Sequence, residues 1–242
     1  MQKEKIIVAL DVETAAEARE ISAELRGEVG AFKIGLQLFT AAGASFVRKA
    51  VEAGDKIFLD LKFHDIPNTV AKAAVEAARL GVWMFNVHAV GGSEMMRRTV
   101  GEVGEICEKE TLEHPQIIGV TVLTSADQYA LTEVGIESET DAQVLKLARL
   151  AAECGLDGVV ASPLEIALIR QNVLNKDFLI VTPGIRSGKV ETFDDQKRVT
   201  TAKDALDAGA SYLVIGRPIV RSENRVSAVR QILEETAKRL KF

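Results

Sequence analysis

The stretch "KIFLDLKFHDIPNTVAKAAVEAARLGVWM", residues 56–84, contains one full period of the fold. Ile57, Phe58 and Leu59 form a short apolar run of strand type, and residues 69–80 carry apolar side chains at helical spacing. Gly81 follows the helix, and Trp83 begins the next apolar run. Glycine after a helix enters the left-handed conformation without steric cost. Outward from this unit the same alternation predicts strands at 6–10, 31–34, 117–123, 158–161, 178–182 and 212–215, besides 56–61 and 83–87. Helical patterns lie between and after them, at 15–26, 37–53, 69–80, 92–109, 141–154, 163–171, 201–208 and 223–240. Glycines punctuate the helix ends in "RGEVGAF", "EAGDKIF", "AECGLDGVV" and "LDAGASYLV". Strands this uniformly apolar are covered on both faces, as in parallel sheets. Eight such units in 242 residues predict a single-domain (β/α)8 barrel, with an open doubly wound sheet as the alternative.

Composition narrows the function. Hydrophobic residues make up 47% and charged residues 27%, with a net charge of −5; these are ordinary globular values. Basic residues are dispersed, which argues against a nucleic-acid partner. No apolar run approaches the ~20 residues of a membrane span. The N-terminus "MQKEKIIVALD" runs directly into a strand, so a cytoplasmic, soluble protein is expected. Cys107 and Cys154 are far apart in helical patterns and read as reduced core residues. Trp83, at a strand start, reads as core.

Both candidate folds place ligand chemistry beyond the carboxyl ends of the strands. There the sequence offers Asp11 after the first strand, Lys33 in the second, and Asp60, Lys62 and Asp65 around the third. Asn86 and His88 end the fourth, Thr124 and Ser125 the fifth, and Ser162 the sixth. Asp60 and Lys62 are two apart, so in a strand they share a face at roughly 6.6 Å. Inside a barrel such charges require partners. Lys33 and Asp65 are expected to complete a neutral row of two cations and two anions, which makes burial tolerable. A purely structural ion cluster is the simpler alternative, as is a helix-capping role for Asp65. Gly184 and Arg186 after the seventh strand, with Gly216 and Arg217 after the eighth, match the phosphate grip that many barrels build there. Glycine admits backbone N–H groups to the oxyanion, and arginine adds a bidentate contact. A phosphate ester is the substrate class these loops imply.

The run "LDLKFHDIPNT", together with "VALD", "FKIG", "VTVLTS", "VTPGIR" and "VIGRPI", resembles the orotidine 5′-phosphate decarboxylases of the bacterial type over essentially the whole chain. The resemblance implies a homodimeric barrel that converts orotidine monophosphate to UMP and CO2 without cofactor or metal. It assigns Lys62 as proton donor to C6 of the pyrimidine and places Asp60 beside the departing carboxylate. Lys33 would bridge that carboxylate and the ribose. Asp65 and Thr69 would be supplied across the dimer interface. Asp11 would meet the ribose hydroxyls and Thr124 the pyrimidine. Arg186, Gly216 and Arg217 would grip the phosphate, with Gln196 from the loop "RSGKVETFDDQKR", which is one residue longer than the commonest bacterial spacing. The loop reads as a polar lid. His88 is expected to pack or hydrogen-bond, with no acid–base role. His64 alternates away from Lys62, and His114 lies in a loop.

Two rivals remain at this point. Related phosphosugar barrels also carry the Asp-x-Lys pair but use magnesium, held by carboxylates that include one where this chain has Lys33. A phosphate-binding protein without chemistry would keep the grip alone.

Overall fold

The computed structural model describes residues 2–186 and 200–237. Its first half alternates β1 (Ile6–Ala9), α1 (Ala15–Leu25), β2 (Ala31–Gly35), α2 (Leu36–Glu52), β3 (Ile57–Phe63), α3 (Pro67–Arg79), β4 (Met84–His88) and α4 (Gly92–Glu110). It continues with β5 (Gln116–Val120), α5 (Gln128–Glu133), α6 (Thr140–Glu153), β6 (Gly158–Val160), α7 (Ile166–Asn172) and β7 (Leu179–Thr182). A short parallel pair, β8 (Ile185–Arg186) and β9 (Thr200–Thr201), follows. The chain ends with α8 (Ala202–Asp207), β10 (Tyr212–Ile215), α9 (Arg217–Val220) and α10 (Arg225–Ala237).

Eight strands close in the order β1-β10-β7-β6-β5-β4-β3-β2, and β1 pairs in parallel with both β2 and β10. Closure decides for the barrel over the open sheet. Alternation along each strand divides the core in two. Ile7, Phe58, Met84, Ile118 and Val214 fill the barrel interior. Their sequence neighbours Ile6, Val8, Leu59 and Phe85 pack outward among the helices. Gly54 and Gly81, which bracket the β3–α3 unit, take φ of 87° and 75°. Cys107 and Cys154 are buried free thiols. Among the described residues no helix is long and apolar enough to cross a membrane.

Three differences from the expected elements have physical causes. The fifth strand stops at Val120 because its partner β6 stops at Val160, whose carbonyl then accepts from both the N–H and the hydroxyl of Thr121. Helices α5 and α9 escaped the periodicity because they are shorter than two turns. Asp127 caps α5 through Ala130 N–H, and α9 carries Pro218 in its first turn. Trp83 is core only in part. It stands half-buried at the amino-terminal mouth of the barrel, edge-on to Tyr212 with ring centres 5.1 Å apart. A large ring there closes the floor while its rim stays in water.

Candidate active site

The site begins with a break in strand pairing. β3 advances from Leu59 to Phe63 while its partner β4 advances only from Phe85 to Val87. The surplus residues bulge, and Lys62 takes a φ of 54°, rare for a residue with a β-carbon. The bulge holds Asp60 and Lys62 together at the carboxyl end of the barrel, so the pair survives without regular strand geometry. Lys62 Nζ donates to Asp60 Oδ1 at 2.7 Å. Asp60 Oδ2 lies 3.3 Å from Lys33 Nζ, which in turn donates to Asp11 Oδ1 at 3.0 Å.

The row is therefore Lys62–Asp60–Lys33–Asp11. Within one chain Asp65 does not join this row. The bulge turns the chain outward and Pro67 starts α3 at once, so Asp65 is exposed and accepts from its neighbour's Ile66 N–H at 2.6 Å. It does not cap α3, whose N-cap is Ile66. Asp65 and Thr69 lie outside the lining of the single chain's cleft.

Burial and pairing oppose one another in this row. Lys33 is only 8% exposed. Desolvation pushes its ammonium down, but the carboxylates of Asp60 and Asp11 outweigh it and hold its pKa above the usual lysine value. Desolvation likewise pushes Asp60 up, and is outweighed by Lys33, Lys62 and the Asn86 amide, which hold it below the usual carboxylate value. Lys33 and Asp60 are therefore both charged at neutral pH. Gly35 gives Lys33 its room, since a β-carbon there would lie 2.9 Å from the ammonium nitrogen.

The charged row forms one wall of a cleft of about 480 Å³ at the carboxyl ends of the strands. Phe58, Val120, Val160 and Val214 make its apolar floor, and Thr124, Gly184, Gly216 and Arg217 are among the residues that line it. Gly184 has a φ of 82°, and Arg186 follows in β8, where its backbone pairs with Thr201. Gln196 lies outside the described residues. Two polar lining residues were not foreseen, Gln37 and Arg221. The signal for Arg221 was its i+4 spacing from Arg217, which one turn of helix places on the same side. Asn86 was noted only as a strand end. It is 1% exposed, donates to Asp60 Oδ1 at 2.7 Å and accepts the backbone N–H of Lys62 at 2.8 Å. His88 is half-buried beside His64, with ring centres 5.6 Å apart. Desolvation, then the nearby His64 and Lys62, hold its pKa below the usual histidine value.

A closed parallel barrel whose carboxyl rim carries paired buried charges beside a glycine- and arginine-bearing rim has the architecture of a barrel enzyme. The chain belongs to the orotidine 5′-phosphate decarboxylase / HUMPS family, whose model matches residues 4–232. It is 52% identical over 235 residues to the orotidine 5′-phosphate decarboxylase of Syntrophotalea carbinolica, covering 97% of this chain and 96% of that one. The namesake protein of Moorella thermoacetica is also 52% identical, over 96% of this chain and 92% of its own. Among solved structures, the orotidine 5′-phosphate decarboxylase of Lactobacillus acidophilus superposes with a TM-score of 0.84 at 36% identity, covering 96% of this chain and 99% of that one.

Proposed function

We propose that this chain decarboxylates orotidine 5′-monophosphate to UMP and CO2, using no metal or cofactor. The observation that carries the reading is the Lys62–Asp60–Lys33–Asp11 row facing the cleft, in a chain of this family. Loss of CO2 leaves an electron pair on C6 with little resonance relief, so the site must supply positive charge where that pair appears. An ammonium carries three N–H donors; Lys62 gives one to Asp60, leaving it able to face C6, stabilise the developing carbanion and then protonate it.

Asp60 would stand beside the substrate carboxylate. Repulsion between such groups at 4 Å amounts to about 4 kcal/mol at an effective dielectric near 20. A demanding decarboxylation needs a barrier lowered by up to roughly 20 kcal/mol. Repulsion is therefore the smaller contribution, and the main work of Asp60 is to hold Lys33 and Lys62 charged and oriented. Lys33 would reach both the carboxylate and the ribose, with Asp11 on the ribose hydroxyls and Thr124 on the pyrimidine. Arg186, Gln196, Gly216 and Arg217 would grip the phosphate, whose binding energy would hold the substrate at the charges.

The exposure of Asp65 and Thr69 supports a homodimer in which each chain lends both residues to its partner's cleft. Mixing Asp65→Ala with Lys62→Ala protein tests this, because only a shared site regains activity in the mixed dimer. A cytoplasmic location fits the same reading.

The magnesium-dependent rival is disfavoured by Lys33. Its ammonium bridges Asp11 and Asp60, occupying the place between carboxylates that a divalent cation would need. The deciding experiment adds orotidine monophosphate to the protein in excess chelator and follows ultraviolet absorbance. Conversion to UMP with CO2 release supports the proposal and removes the magnesium rival. UMP binding without turnover would leave a phosphate-binding protein.

A further inference from the structure

We infer that Asn86 is the positioning residue that sets Lys62 and Asp60 for the reaction, an inference that rests on the decarboxylase reading above. Asn86 lies in β4 between Phe85 and Val87, opposite the part of β3 that has slipped out of register. There the regular ladder is interrupted, and the Asn86 side chain fills the gap. Its Oδ1 accepts the Lys62 N–H at 2.8 Å and its Nδ2 donates to Asp60 Oδ1 at 2.7 Å.

The chemistry fixes which end of the amide is which. A backbone N–H can only donate, so the atom facing Lys62 must be the oxygen. An ionised carboxylate can only accept, so the atom facing Asp60 must be the nitrogen. One buried group thus reads both partners in the states the reaction needs. It holds Asp60 ionised and keeps Lys62 in the left-handed conformation, at a φ of 54°.

Without this bond the Lys62 N–H would lose its partner beside the cleft, and the residue would relax toward ordinary strand geometry. In a strand a change of register sends a side chain to the opposite face. Lys62 Nζ would then leave Asp60 and the position from which it can reach C6. Asn86 itself is outside the lining of the cleft, so its effect on the reaction passes through Lys62 and Asp60.

The test begins with wild-type turnover of orotidine monophosphate in chelator. An inert wild type would overturn the functional reading, and this inference with it, before any variant is made. With an active wild type, Asn86→Ala is expected to lower kcat by about 100-fold, as loss of one preorganised donor does. KM and UMP affinity should stay within about threefold, the signature of an interaction used in the transition state.

Asn86→Asp has nearly the same shape but sets a second carboxylate against Asp60. Its kcat should fall below that of the Ala variant at pH 8. It should recover toward about pH 5.5, where a protonated acid again donates to Asp60 while accepting from Lys62. Asp11, Lys33, Lys62 and His88 lie around this cluster, with His64 against His88, so the recovery is read as the ratio of variant to wild type. Folding is followed by circular dichroism melts. A folded Ala variant with kcat within about threefold of wild type overturns the assignment. So does a loss shared equally by kcat and UMP affinity with no acid recovery, or the failure of both variants to fold, since each describes a merely structural residue.

Discussion

Asp55 and Asp60 bracket the first half of β3, and both lose water on folding, yet they are held in opposite ways. Asp55, its side chain 2% exposed, accepts a two-pronged bond from Arg26, with Nε at 2.8 Å and Nη2 at 3.0 Å. One planar cation matches one planar anion. Asp60 instead divides its oxygens among Lys62, Asn86 and Lys33. Its cations are ammoniums, each with further N–H donors, and both line a cleft. The first arrangement is closed and ties α1 to the start of β3. The second is open, and its charges remain available to a ligand.

The comparison breaks most visibly at Lys62. Lys62→Ala should lower kcat by about 10⁴-fold, because it removes both the proposed proton donor and a charge on the cleft wall. The ultraviolet turnover assay measures this, and a residual rate within about tenfold of wild type would sink the proton-donor role.

At the closed pair the expected loss is in stability. Arg26→Met leaves the Asp55 carboxylate buried without its cation and should cost about 2 kcal/mol, or roughly 5 °C in Tm. Turnover per folded molecule should be unchanged. Thermal melts paired with kcat measurements would detect the opposite result, an activity loss without a shift in Tm.

A third substitution, Gly35→Ala, sharpens the contrast from within the site. The added methyl would sit 2.9 Å from Lys33 Nζ, and a flexible lysine can retreat from it only by loosening its bonds to Asp11 and Asp60. The backbone tolerates alanine, since φ there is −95°. A fall of about tenfold in kcat/KM, with Tm within a few degrees, is the size expected for partial misplacement of one charged group. Unchanged kcat/KM would mean that Lys33 tolerates displacement.

The repeated β-α unit was legible because each period carries its own punctuation, as in Gly54, Leu59 and Gly81. The charged row was legible because Asp60 and Lys62 stand out in an apolar strand. What escaped was the geometry between strands. The bulge that turns Asp65 away from the row and brings Asn86 to Lys62 arises from pairing between β3 and β4, and no local pattern in either strand records it. Asp11 could be named as a strand end, but its contact with Lys33 depends on the register of β1 against β2. Trp83 was legible only in part, because an aromatic residue at a strand start can pack on the interior while its rim stays at the mouth of a barrel.

The smallest expected effect concerns His88 and the sign of the pH dependence. Its folded pKa lies below the ordinary value of 6.5, so near and below that pH the unfolded chain binds the extra proton more readily. The stability this contributes is fully present above about pH 6.5 and is lost as pH falls through the folded pKa. Asp60 acts in the same direction further down. Its folded pKa is depressed below 3.8, so its contribution is present above that value and disappears in stronger acid. Lys33, raised above 10.5, contributes below that value and loses its contribution as pH rises through the folded pKa. His88→Asn should therefore narrow the loss of Tm between pH 7 and pH 5 while leaving the strong-acid and alkaline limbs in place. His88 lies outside the cleft lining and Lys62 is the proposed proton donor, so kcat at pH 7.5 should stay within about twofold, where loss of a general acid costs 10² or more. A fall of that larger size would move His88 from the packing around the charged row into the proton transfer itself, and Lys62 would no longer be sufficient for it.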